Sequence, residues 1–307
     1  MTDASVRVPE ISTKHDGREV DCEVITRNGI NYYKQRTNAH GYHLDIPSQT
    51  YVPGLGFNGA PISITYREAV SKGIITGARL ESSFGERTTV GAETNFPVWP
   101  DGAFTLPAIT GVQMSIVSTS AADSSAGNNI RTLELHYLDA NLAEQHETII
   151  LNGLTPVLSV ATNIRFIQCM HIATYGVSAT AAGTITATNT AIVYSQISTG
   201  EVRCTSSFRM VPAGKKLFID SLIGSSVSGT AVARTIIKLV ASELDAHQYI
   251  SPLILIPHAS IGVQDTATTL TLHGSPSFSA GSVVGFVHSS DKAAIISASW
   301  FGHLENA

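Results

Sequence analysis

Charge is what this sequence has least of. Among 307 residues there are 19 Lys and Arg and 24 Asp and Glu, giving a net charge of −5. The charged fraction of 14% lies well below the roughly 25% of ordinary soluble chains. With 43% of residues hydrophobic, disorder driven by self-repulsion is excluded. There is no global basic field, which argues against a nucleic-acid binder. Cysteine is scarcer still: Cys22, Cys169 and Cys204. An odd, widely spaced set gives neither a disulfide framework nor a zinc spacing. A single Cys169–Cys204 bridge is one reading, and buried free thiols are the preferred one. Long apolar runs are missing. The charge-free stretch 166–200 is broken by Gln168, Thr174, Ser178, Thr180, Gly183, Thr186 and Asn189, whereas a membrane helix needs ~20 predominantly apolar residues. Met1 to Glu10 has no apolar core, so no secretory signal is expected. A soluble protein made in a reducing compartment, or indifferent to redox state, is expected.

Helical periodicity is also rare. Tyr66 to Lys72, ended by Gly73, is the one candidate and holds two turns at most. What recurs is alternation. Leu133, Leu135 and Tyr137 share one face of Arg131–Leu138, with Thr132, Glu134 and His136 on the other. Asp139-Ala140-Asn141 supplies a turn, a partner strand covers Glu147–Leu151, and Asn152-Gly153 is a second turn signal. Further strands are expected at Ile164–Ile172, Gly183–Ala187, Ala191–Ile197, Thr205–Val211, Leu217–Ile223, Thr235–Ala241, Leu253–Ile256, Thr269–Leu272, Val283–His288 and Ala294–Phe301. Thr, Val and Ile dominate them, as suits a half-buried pleated surface. The fold class expected is all-β: two tandem antiparallel β-sandwiches, jelly-roll-like, with an extended N-terminal arm. The arm covers 1–100, where Pro47, Pro53, Pro61, Pro97 and Pro100 punctuate the chain. The sandwiches cover 101–200 and 201–307. Ile116–Ala140 and Leu222–Ala246 both close on Leu-Asp-Ala, a faint echo between the two units.

Motifs of known chemistry fail in context. Gly54-Leu55-Gly56-Phe57-Asn58-Gly59 has dinucleotide spacing, but Pro53 and Ala60-Pro61 flank it and no helix can receive a phosphate. Gly214-Lys215-Lys216 lacks the residues of a P-loop, and no nucleophile elbow exists. His40 and His43 lie beside Asp45, but Gly41 and Pro47 oppose the helix that would join them. His136 and His146 can face each other across a hairpin, as solvated or interfacial residues. No catalytic residue, cofactor or metal is expected, because catalytic sites draw on the residue types this chain lacks.

A charge-poor surface is tolerated where partners cover it. A symmetric oligomer, such as a homotrimer, or a subunit of a larger assembly is therefore expected. Ile116–Val157, Met210–Ile219 and Asp21–Thr37 resemble segments of tailed-bacteriophage virion proteins, and Trp99-Pro100-Asp101 is similar to a turn preceding their first β domain. That resemblance implies a non-enzymatic virion component, tail-associated (fibre, baseplate or tail tip), assembled in the host cytoplasm with other virion proteins. Alternatives are a capsid decoration protein and an adhesin for host-surface glycan. Tyr32, Tyr33, Tyr42, Tyr51 and Trp99 are the candidate contacts to a partner or host.

Overall fold

The computed structural model describes residues 66–228, 233–242, 255–264, 267–272 and 276–307, with the side chains of 255, 256 and 271 aside. It also describes the backbone of four short strands between residues 14 and 35. The chain divides into two compact units, Met1–Thr50 and Tyr51–Ala307. In the first, β1 (Lys14–His15) pairs with β2 (Arg18–Glu19), and β3 (Cys22–Arg27) pairs with β4 (Ile30–Gln35). Both are antiparallel hairpins. The motif at 54–59, His40, His43 and the echo's Leu244–Ala246 lie outside the described residues.

The second unit opens on α1 (Tyr66–Ser71), the one helix among the described residues. Its end follows the Schellman pattern. Gly73, at φ +68°, donates to Val70 O, and Ile74 N–H reaches back to Ala69 O. The strands then run β5 (Arg79–Thr88), β6 (Glu93–Pro97), β7 (Ser115–Ser118), β8 (Ile130–Asp139), β9 (Glu144–Ile150), β10 (Val157–Leu158) and β11 (Ile164–Tyr175). After these come β12 (Ile185–Asn189), β13 (Ile192–Ile197), β14 (Arg209–Met210), β15 (Lys215–Val227) and β16 (Thr235–Ser242). The last are β17 (Leu255–Val263), β18 (Ala267–Thr271), β19 (Ser277–Ser279), β20 (Val283–Ser290) and β21 (Ile295–Asn306). All pairings among the described residues are antiparallel, and the protein is all-β, as the alternation predicts.

Among the described residues of the second unit, four sheets form three cores. The sheets β10-β7-β12-β13 and β11-β8-β9 share a core of Ile116, Leu133, Leu135, Tyr137, Ile167, Met170, Ile185 and Ile197. Leu133, Leu135 and Tyr137 are the face that alternation assigned inward. The sheets β14-β20-β16-β17 and β18-β15-β21-β5 share a second core of Leu217, Ile219, Leu239, Phe286, Ile296 and Trp300. Each fully buried Leu or Ile contributes about 2 kcal/mol. The third core joins the halves. Leu138 and Phe166, from the back of the β8–β11 sheet, meet Phe208, Met210, Val240, Val283 and Val287. Period 2 explains β20: Val284 and Phe286 enter the second core while Val283 and Val287 enter the third.

The expected arm of 1–100 needs correction at its C-terminal end. β5 pairs with β21 from Arg79↔Leu304 to Thr88↔Ile295, and β6 pairs with β20. Residues 79–97 are thus built into the sheets of the last third of the chain. They escape pattern reading because the inward side chains of β5 are small or polar. Ser83 is buried and donates to Ser207 O at 2.7 Å. A Cβ on Gly85 would stand 2.4 Å from Val98 O and 2.5 Å from the Ser207 backbone nitrogen. Close backbone approach replaces apolar bulk there.

Candidate functional site

The sequence-predicted contacts separate. Tyr32 and Tyr33 sit on β4, opposite Ile25 and Val24. Tyr42 and Tyr51 lie outside the described residues. Trp99 is a correction: it is 1% exposed, so no partner can reach it. Its Nε1–H donates to Gly102 O at 2.9 Å, and its ring meets Phe104 edge-on. The indole fixes the turn leading into the third core.

A cleft of about 420 Å³ opens where the two halves meet. β8, β9 and β11 bring His136, Glu144, Cys169 and His171; β5 brings Arg79 and Glu81; Trp300 of β21 and Arg209 of β14 complete the wall. Polar contacts tie its sides together. Arg79 forks onto Glu144, its Nη1 donating to Oε2 at 2.9 Å and Nη2 to Oε1, and its Nε lies 3.6 Å from Glu81. Burial pushes the Glu81 carboxyl up, against the pull of Arg209 and Arg79. Gln168 acts as an extra strand residue: its Nε2 donates to Met210 O at 2.5 Å and its Oε1 accepts from Met210 N at 3.3 Å.

The hairpin register sets a row of histidines across the sheet. His136 pairs directly with His146, as the sequence allowed, and on its other side faces Cys169. The rings stack, with centroids 5.9 Å apart for His136–His146 and 5.1 Å for His136–His171. Burial, then His171, lowers His136. His146 Nδ1 lies 2.7 Å from Glu134 Oε1, and Thr148 donates to Oε2 at 2.9 Å. These bonds, that of His146 first, hold Glu134 below the usual carboxylate range. No three His, Cys, Asp or Glu side chains among the described residues are grouped to hold a metal.

Cys169 and Cys204 are both free thiols, and their Sγ atoms stand 3.7 Å apart. The return segment 202–204 lies antiparallel beside β11: Cys204 N–H donates to Met170 O at 2.8 Å and Ile172 N–H to Val202 O at 3.1 Å. Cys169 borders the cleft, whereas Cys204 is buried behind it. The contact with Cys204, then burial, pushes the Cys169 thiol up. The same contact pulls Cys204 down, with Arg209 acting in the same direction.

A second polar cluster lies between β5, β6 and β20. Arg87 holds Glu93 with two bonds, Nε to Oε2 at 2.7 Å and Nη2 to Oε1 at 2.6 Å, and stacks over Phe96 at 4.9 Å. His288 is 0% exposed. Its Nε2 lies 3.0 Å from Glu93 Oε2, and neither ring nitrogen makes a well-directed hydrogen bond. Burial, outweighing the pull of Glu93, lowers its pKa to about 4.

Sequence reasoning found the His136–His146 pair from the hairpin pattern and missed the cleft. Its walls come from strands that no local pattern connects.

No family model matches the chain, and no curated protein matches it. Among solved structures, 75% of the chain is similar to 78% of a mutant VP2 protein of infectious bursal disease virus in derived T=1 particles, with 10% identity and a TM-score of 0.11. The structure of the Gt strain of that virus is similar over 75% of this chain and 81% of the other, with 10% identity and the same TM-score of 0.11. Likeness at that score supports no inference about fold or role.

Proposed function

We propose that this chain is a non-catalytic structural subunit of a tailed-bacteriophage virion, tail-associated and homo-oligomeric. In this reading the two halves of the second unit are tandem β-sandwiches of jelly-roll type, and the first 50 residues attach to the particle. The observation that carries it is the surface. Val90, Val160 and Val177 are 97%, 88% and 85% exposed. Ile150, Leu154 and Leu158 join Val160 as exposed apolar side chains within residues 150–160. On a chain this poor in charge, such a surface suits coverage by partners. The segments that resemble phage virion proteins fall on successive strands of the fold. Ile116–Val157 spans β7 to β10 with the β8–β9 hairpin, and Met210–Ile219 joins β14 to β15.

Copy number in purified particles tests the reading. A low number matching the tail's rotational symmetry is expected. A number that scales with the major shell protein would favour capsid decoration, and absence from particles would defeat both. Glycan-array binding abolished by substituting Tyr32, Tyr33, Tyr42 and Tyr51 would favour the adhesin alternative.

A further inference from the structure

We propose that Cys169 and Cys204 form a thiol–disulfide exchange site, with Cys169 as the sulfur that meets the oxidant and Cys204 as the sulfur that resolves it. The geometry divides the roles. Cys169 borders the cleft of about 420 Å³, so it is the sulfur of the pair that faces an incoming reagent. Cys204 is buried, so its accessible partner is the neighbouring sulfur at 3.7 Å. An S–S bond is ~2.05 Å long, so closure requires a contraction of under about 2 Å between two side chains already in contact. The sulfurs sit on adjacent antiparallel segments, joined by Cys204 N–H to Met170 O at 2.8 Å. Both Arg203 and Arg209 line the same cleft and offer cationic partners to an anionic reagent such as glutathione disulfide.

The exchange balances as follows. Cys169 releases its proton to solvent in the cleft, and the freed thiolate attacks one sulfur of the reagent. A Cys169–glutathione bond forms, the reagent's S–S bond breaks, and one glutathione thiolate leaves. That thiolate takes the proton from Cys204. The Cys204 thiolate then attacks Cys169 Sγ, forms the internal disulfide and expels the second glutathione thiolate, which is protonated by solvent. The two cysteines are oxidised and the reagent's disulfide is reduced to two thiols. The bond would staple β11 to the segment that leads into β14, across the joint between the halves.

The test is incubation of the full-length folded protein with glutathione disulfide, followed by alkylation of free thiols and peptide mass mapping. The wild type is expected to yield a Cys169–Cys204 crosslinked peptide pair, about 2 Da lighter than the two thiol peptides. Cys204→Ser should stop at a stable glutathione adduct on Cys169. Cys169→Ser should leave Cys204 unmodified until the protein is unfolded. Mapping in the wild type also separates any reaction of Cys22. Full alkylation of both thiols after the incubation would overturn the proposal, as would equal adduct formation at Cys204 in folded Cys169→Ser protein. Circular dichroism of each variant shows that it is folded. The test is independent of where the protein sits in a particle.

Discussion

Asp123 shows how one side chain organises a loop. It is fully buried and accepts from Ser118 Oγ at 2.7 Å, Gly183 N at 2.9 Å, Ala182 N at 3.0 Å and Ile130 N at 3.3 Å. Four donors converge on two oxygens, which stitches the 119–129 loop to β8 and to the start of β12. Asp123→Asn places an amide N–H₂ against those donors and should cost about 3 kcal/mol. In a unit of this size that is a fall of roughly 10 °C in Tm, read by thermal denaturation; an unchanged Tm would contradict the assignment. His288 makes a pH prediction. Its folded pKa of about 4 lies below the 6.5 of an ordinary imidazole, so the unfolded chain binds more protons between those values. Stability is present above pH 6.5 and is lost as pH falls towards 4, by about 3 kcal/mol in all. Denaturant titrations at pH 7 and pH 4.5 should show this limb, and His288→Phe should flatten it. An equal acid loss in the variant would place the effect elsewhere.

At the scale of elements, legibility follows the kind of side chain a strand buries. β8 was readable because Leu133, Leu135 and Tyr137 alternate with polar residues. β16, β20 and β21 were readable because β-branched and aromatic residues fill them. The short α1 was readable from its terminal Gly73. β5 was not, because Ser83 and Gly85 fill its inward face and pattern reading sees only polar noise. The cleft was not readable either, since Glu81, His136 and Cys169 meet only once β5, β8 and β11 are assembled. Cys169 and Cys204 meet through the return of 202–204 along β11, a long-range event with no local sign. Gly85 gives the test of the β5 argument. Gly85→Val would drive branched carbon into Val98 O and Ser207, distances of 2.4 and 2.5 Å at Cβ alone. The expected result is loss of several degrees in Tm and raised proteolysis near residues 79–97. Retention of wild-type stability would show that β5 can move away from Ser207 freely.

At the scale of the molecule, the unit boundary near residue 50 and the incorporation of β5 and β6 make two truncations informative. Removal of residues 1–50 should leave a folded, β-rich protein and, on the virion role proposed above, abolish its entry into particles. Removal of 1–100 strips β21 of β5 and β20 of β6, and deletes the buried Val98 and Trp99. That chain should aggregate or lose its cooperative melt. Equal folding of both truncations, followed by circular dichroism and light scattering, would contradict the role of β5 and β6. Loss of β signal in the shorter truncation would contradict the boundary at 50.

The pairing of β5 with β21 has a mechanical consequence. Arg79 opposes Leu304 and Thr88 opposes Ile295, so the chain enters this sheet beside the place where it leaves. Tension applied between residues 79 and 306 loads the ladder rung by rung, like a zipper. It does not load all rungs at once, as a shear joint would. Such a fold resists pulling along that line poorly, whatever its thermal stability. The stronger path for force runs through the third core, where β20 is clamped on both faces.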